Sequence, residues 1–243
     1  MYGASELTFL KRHWITKNSN IPRRFFGYEP ADIVEKTGSF SPLIELWLEN
    51  VLEGNNIKAI GGLGTTGVGL LFDGAPGLGK TTHAVVTAME FVRRLPNDPI
   101  QARNLLNISA KNYGNNMRPI YYMTFPEFLS RKKAMFEADP ETKAEMHLEM
   151  EGFHGRASTE FDHLNVRLLI LDDLGKEYGS EYNDSSFDEI LRSRYDKALP
   201  TIITTNVPRE KWAKQYSEAM GSFAHEAFQQ IEILGKDLRK ASE

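Results

Sequence analysis

The chain has 243 residues, 41% hydrophobic and 26% charged, with a formal net charge of −4 and a pI near 5.9. That size fits one large domain, or one domain with a small appendage; with no global basic field, any contact with nucleic acid needs a local patch. The sequence contains no cysteine, which excludes disulfides and thiolate metal sites, and no stretch approaches the roughly 20 apolar residues of a membrane helix.

The first twenty residues, "MYGASELTFLKRHWITKNSN", have no apolar core behind a basic head. A cytoplasmic protein without a membrane partner is therefore expected. Leu7, Leu10 and Trp14 recur there at helical spacing. That stripe either packs on the chain's own domain, the preferred reading, or docks a partner as a compact helix. Residues 1–20 are read as a short N-terminal segment and 21–243 as the main domain.

Two glycine-rich phrases follow back to back. Gly62 to Gly67, "GLGTTG", matches the G-x-G-x-x-G spacing of a dinucleotide fold, but an apolar run and another glycine follow it. No helix then fits where its N-terminus would receive a pyrophosphate, so this phrase reads as a turn. Gly74 to Thr81, "GAPGLGKT", matches G-x-x-x-x-G-K-[ST] and lies between a buried strand and a helix, as a phosphate loop requires.

Five apolar runs read as buried strands: Val68–Phe72, Ile120–Thr124, Val166–Leu171, Thr201–Thr205 and Phe228–Leu234. Helical patterning fills "KTTHAVVTAMEFVRR", "FPEFLSRKKAMFEA", "SFDEILRSRYDKA" and "REKWAKQYSEAM", with Pro126 and Pro208 at helix starts. Strands alternating with helices predict an α/β fold with a mainly parallel sheet covered on both faces. The stretches 96–119 and 139–162, the second of them acidic, read as surface insertions.

In the phosphate loop, Gly74, Ala75, Pro76, Gly77, Leu78 and Gly79 supply backbone amides for anionic oxygens. Lys80 is assigned to the β and γ phosphates, Thr81 to Mg²⁺, and Thr82 to the cofactor alongside them. ATP is preferred to GTP because no N-K-x-D motif appears. In "RLLILDDLG", Asp172 is assigned to the metal and Asp173 to the attacking water. In "PTIITTNVP", a strand lying between the other two would bring Asn206 to the γ-phosphate.

In this order the phrases "GAPGLGKTT", "LLILDDLG", "IITTN" and "GKDLR" resemble an AAA+ P-loop ATPase of the initiator and helicase-loader clade. More narrowly, the chain resembles DnaC/DnaI-type loaders and their IstB-type relatives over roughly residues 20 to 240. The resemblance implies a five-stranded sheet of order 5-1-4-3-2 and no C-terminal helical lid. It implies that the backbone around Ile21 to Phe25, in "IPRRFFGYEP", lines the adenine pocket, and that Arg239 is a sensor arginine for the γ-phosphate. It also implies single-stranded DNA contacts at Phe136, Ser180 and Tyr182, where bases would stack on the rings and Arg131, Lys132 and Lys133 would attract the backbone.

One departure bears on rate. The arginine that reaches a neighbouring subunit's ATP in this family is missing from "GSFAHEAFQQ"; Arg192, Arg194 and Arg209 are substitutes, the first two read equally well as surface charges. His147, His154 and His163 share no metal-binding spacing and read as structural. Three functions are consistent with the sequence. The preferred one is an ATP-hydrolysing loader that delivers a replicative helicase to single-stranded DNA; the others are a transposition helper and an ATP-gated binding module. Self-association is left open.

Overall fold

A computed structural model describes residues 7–37, 40–53, 66–106, 116–176 and 180–235. In chain order its elements begin with α1 (Phe9–His13), continued by a π-helical turn over Trp14–Asn18, then α2 (Pro30–Thr37) and α3 (Pro42–Leu52). The first half of the α/β unit is β1 (Gly69–Asp73), α4 (Lys80–Arg94), α5 (Pro99–Leu106), β2 (Ile120–Thr124), α6 (Phe125–Glu137) and α7 (Pro140–Phe153). The second half is β3 (Leu168–Leu174), α8 (Glu181–Asp196), β4 (Thr201–Thr205), α9 (Trp212–Gln215), α10 (Glu218–Ala227) and β5 (Phe228–Glu232).

The strands form one sheet in the order β2-β3-β4-β1-β5, with every neighbouring pair parallel. Successive side chains of a strand point to opposite faces, and both faces are buried. Leu70, Phe72, Ile120, Tyr122, Leu168, Ile170 and Ile202 join a core with α3 and α4 on one side. Leu71, Tyr121, Met123, Leu169, Leu171 and Ile203 join a second core with α6, α8 and α10 on the other. Burial on both faces is why the strands appear in the sequence as unbroken apolar runs.

The N-terminal segment packs on this unit. Trp14 and Ile15 lie in the first core, with Leu7 and Leu10 against it. Lys11 Nζ donates to the Arg93 carbonyl (2.8 Å), and the amide nitrogens of Asn18 and Asn20 donate to the Met117 and Tyr122 carbonyls (both 2.9 Å). The Tyr122 N–H in turn donates to the Ser19 carbonyl (2.7 Å), so residues 18–20 cover part of the outer edge of β2.

Three sequence expectations change. The acidic stretch read as a surface insertion is largely exposed but regular: α7 runs through it, with Asp139 as N-cap accepting from the Glu141 and Thr142 amides. Phe153 and Met150, at its far end, enter the second core, with Phe153 5.0 Å from the Tyr121 ring centroid. The helix expected over 209–220 is broken, because Ser217 accepts from the Met220 amide and starts α10 afresh. Arg194 is not a surface charge. It is fully buried, and its guanidinium donates to the carbonyls of Phe153, Val166, Arg167 and Pro200 and to Thr201 Oγ1, at 2.6–3.0 Å.

Gly67 also acquires a reason. A side chain there would meet the Leu199 backbone at 2.6 Å, and its own N–H bonds to the Tyr195 carbonyl at 2.7 Å. The glycine serves close packing before β1; residues 62–65 of its phrase lie outside the described residues.

Candidate functional site

In open parallel sheets, ligands bind beyond the carboxyl ends of the strands. The C-terminal ends of β1, β3 and β4 are adjacent here, because β4 lies between the other two. Beyond β1 the chain turns through Gly74, Gly77 and Gly79 at φ of 141°, 85° and 87° and enters α4 at Lys80. Gly74 is required twice, by its φ and because a side chain would lie 2.5 Å from the Ile233 carbonyl oxygen. Leu78 anchors the loop in the first core, while Ala75 and Pro76 are exposed. The loop leads into the first turn of α4, whose free N–H groups and positive dipole end favour an anion.

Lys80 is nearly buried. Its Nζ donates to the Gly74 and Ala75 carbonyls (both 2.8 Å) and to Asn206 Oδ1 (2.7 Å), which ties the loop to the end of β4. Asp172 is buried among hydroxyls. Thr81 Oγ1 donates to its two carboxylate oxygens (2.9 and 3.1 Å), Tyr122 OH to Oδ2 (2.7 Å), and Thr204 Oγ1 to Oδ1 in a short bond. Burial and the neighbouring Asp172 push the Tyr122 phenol well above its usual range, which keeps it a proton donor to that carboxylate.

Asp173 sits in a bulge of β3, where the register with β4 shifts between Leu171 and Leu174, and its φ is 62°. Its N–H donates to Thr204 Oγ1 (3.0 Å), so one threonine hydroxyl ties together both aspartates. Its Oδ2 is held by Lys176 Nζ at 2.6 Å.

These groups open onto a cleft of about 750 Å³. Pro76, Gly77, Gly79, Lys80, Thr81 and Thr82 form its floor, with Asp173, Lys176 and Asn206 beside them. Its lining also includes Arg24, Phe25, Tyr28 and Lys36. Arg24 lies 4.8 Å from the Phe25 ring centroid, and Lys36 Nζ donates to Tyr28 OH at 2.9 Å. His83 also lines the cleft; its Nδ1 is 3.0 Å from the Gly79 carbonyl, and burial pushes its pKa down, so the ring is neutral at pH 7.

Of the residues singled out from sequence, Lys80, Thr81, Thr82, Asp173 and Asn206 line this one cleft, with Asp172 directly behind Thr81. Ile21 is buried in the first core, its N–H donating to Ser19 Oγ (3.1 Å), while its neighbours Arg24 and Phe25 reach the cleft. Arg239 lies outside the described residues. Tyr122, Thr204 and Lys176 were missed. The signal for Tyr122 was the pairing of β2 with β3, which sets Thr124 opposite Asp172, and strand pairing is not written in either segment alone. An oxygen-only set of Thr81 and Asp172 suits a hard divalent cation such as Mg²⁺.

A second cluster forms away from the cleft. Phe136, at the end of α6 and 70% exposed, meets Tyr182 in the first turn of α8 edge to face, with centroids 6.2 Å apart. Lys132 and Lys133 lie 5.8 and 5.6 Å from the Tyr182 ring, and Ser180 caps α8 by accepting from the Asn183 amide. The basic triplet is partly committed: Arg131 pairs with Glu127 and Glu149, and Lys132 with Glu189, whereas Lys133 is exposed. Among the other arginines, Arg192 pairs with Asp188 and Arg209 donates to the Phe228 carbonyl.

No protein-family model and no curated protein matches the sequence. Among solved structures, the chain is similar to that of the DnaC helicase loader, at 20% identity over 88% of this chain and 100% of that one, with a TM-score of 0.52. It is similar to DnaI at 19% identity, 89% and 96% coverage and a TM-score of 0.53. A DNA replication initiation factor shares 16% identity over 85% of this chain and 49% of its own, with a TM-score of 0.52. At such identities the likeness establishes the fold alone, a five-stranded parallel sheet flanked by helices, and the loaders it meets are those that the sequence motifs resemble. Among the described residues, no helix is long and apolar enough to cross a membrane.

Proposed function

We propose that this chain binds ATP with Mg²⁺ in the cleft and hydrolyses it, as a replication ATPase that loads a replicative helicase onto single-stranded DNA. One observation carries the chemical part: Lys80, Thr81, Asp173 and Asn206 line a single cleft beyond three adjacent strand ends, with Asp172 bonded to Thr81. The loop amides and Lys80 hold the phosphates; Thr81 and Asp172 would hold the metal, which would supply charge neutralisation at the phosphate oxygens. Asn206 and Asp173 position the attacking water. Water adds to the γ-phosphorus, its proton passes to the Asp173 carboxylate, and the bond to the β–γ bridging oxygen breaks, giving ADP and phosphate. The adenine fits the side that carries Phe25 and Tyr28, and the sequence resemblance adds Arg239 as a contact to the γ-phosphate.

The helicase-loading part draws on the fold shared with DnaC and DnaI and on the exposed Phe136 ring, which meets the part-buried Tyr182 beside Lys132 and Lys133, a surface suited to stacked bases. The protein is placed in the cytoplasm of a bacterium or of a phage-infected cell, and self-association is compatible with this reading. Two measurements test it. Lys80→Ala abolishes nucleotide binding or turnover, and Asp173→Asn retains bound ATP without hydrolysis; turnover by Asp173→Asn at the parent rate refutes the assignment of the water-activating group. A pull-down with the host replicative helicase, with and without ATP, tests the partner, and no binding in either state sinks the loading role.

A further inference from the structure

Lys176 stands at the same end of the cleft as the Lys80–Asn206 contact and is outside the phosphate-loop assignment. Its backbone is fixed. Gly175 takes a φ of 92°, and a side chain there would meet Val207 Cγ2 at 2.7 Å. The preceding Leu174 carbonyl accepts from Thr205 Oγ1 (2.8 Å), so the turn is fastened to the end of β4, next to Asn206. The side chain, by contrast, is 52% exposed, and its Nζ reaches Asp173 Oδ2. Lys176 is thus a flexible arm on a rigid base, its charge resting on the carboxylate proposed to handle the attacking water.

The two alternative acceptors for that charge are unequal. An ion pair this exposed contributes only about 0–1 kcal/mol, since solvent screens it and the lysine gives up rotamer freedom to keep it. The terminal phosphate of a triphosphate carries more charge than a carboxylate and offers three oxygens at the end of the cleft where Lys80 lies; a diphosphate brings nothing to that position. The other cations lining the cleft beyond Lys80 have aromatic partners of their own: Arg24 lies over the Phe25 ring, and Lys36 Nζ donates to Tyr28 OH.

Accepting the nucleotide reading above, we propose that Lys176 reads the terminal phosphate from within the same chain. In the empty cleft it rests on Asp173. With ATP bound it moves to the γ-phosphate, which adds affinity for ATP over ADP and releases Asp173 to hold water.

The test is equilibrium binding of Mg·ATP and Mg·ADP, by calorimetry, to the full chain and to Lys176→Met and Lys176→Arg. Exposure of the side chain makes both variants safe for folding. Lys176→Met is expected to bind ATP about fivefold more weakly, with ADP affinity within about twofold of the parent. Lys176→Arg restores the preference for ATP. An unchanged ATP-to-ADP ratio in Lys176→Met overturns the inference while leaving the cleft assignment standing. Failure of the parent protein to bind either nucleotide overturns the cleft assignment, and the role of Lys176 with it.

Discussion

Arg194→Met separates two incompatible roles for one residue. A surface arginine that reached a neighbour's nucleotide would tolerate the change in folding and lose only turnover. The buried arginine seen here anchors five acceptors: the carbonyls of Phe153, Val166, Arg167 and Pro200, and Thr201 Oγ1. Burial and the adjacent Arg167 lower its pKa to about 9, which still leaves it charged at pH 7. Methionine roughly fills the space but donates nothing, and each buried acceptor left without a donor costs about 1–3 kcal/mol. Against that gross loss, the variant recovers the several kcal/mol spent desolvating the guanidinium, and because its partners are neutral no unpaired charge is left behind, so the net cost is about 1–3 kcal/mol. A domain stable by about 5–15 kcal/mol would lose a sizeable part of its margin. Urea titration followed by far-UV circular dichroism measures this directly. A loss below about 1 kcal/mol, with turnover cut more than tenfold in folded protein, would refute the reasoning and return Arg194 to the surface.

Tyr122→Phe removes one of the donors that orient Asp172, so the Mg²⁺ concentration for half-maximal turnover should rise about tenfold; no rise would leave the phenol a core residue only. Phe136→Ala should weaken binding of an oligothymidylate by about 1–3 kcal/mol in fluorescence anisotropy without changing the urea midpoint, because the ring is exposed; unchanged affinity removes it from the DNA surface. His154 is buried against Phe128, and burial lowers its pKa to about 3, below the unfolded value near 6.5. The unfolded chain therefore takes up the proton first, and the stability present above pH 6.5 is lost as pH falls toward 3. His154→Phe should flatten that acid limb of the urea midpoint, and a limb of unchanged slope would assign acid sensitivity elsewhere.

Much of the cleft was legible because its parts are local. The phosphate loop, the paired aspartates and Asn206 each sit at the end of an apolar run, and the helix from Lys80 to Arg94 begins and ends where the pattern does. What was not legible depends on distant partners. Arg194 occupies a helix whose other charges face water, and nothing local distinguishes it; its acceptors come from residues 153 to 201. The helix Pro140–Phe153 was obscured because charges recur along it and only its last turn is buried. Tyr122 and Tyr121 look interchangeable in "IYYMT", yet alternation sends one toward Asp172 and the other into the opposite core.

The left-handed backbone at Asp173 limits which side chains the position accepts. Aspartate and asparagine enter that region readily because a short polar side chain can bond locally, whereas longer or apolar residues carry a penalty of about 1–2 kcal/mol. A glutamate, with one more methylene to extend toward the cleft, would gain its reach at the expense of the bulge that aims it. Alanine would confound lost charge with altered backbone. Asparagine keeps both the turn and the shape of the side chain while deleting the carboxylate, so the geometry of β3 favours both the natural acid at this site and the variant that can interrogate it.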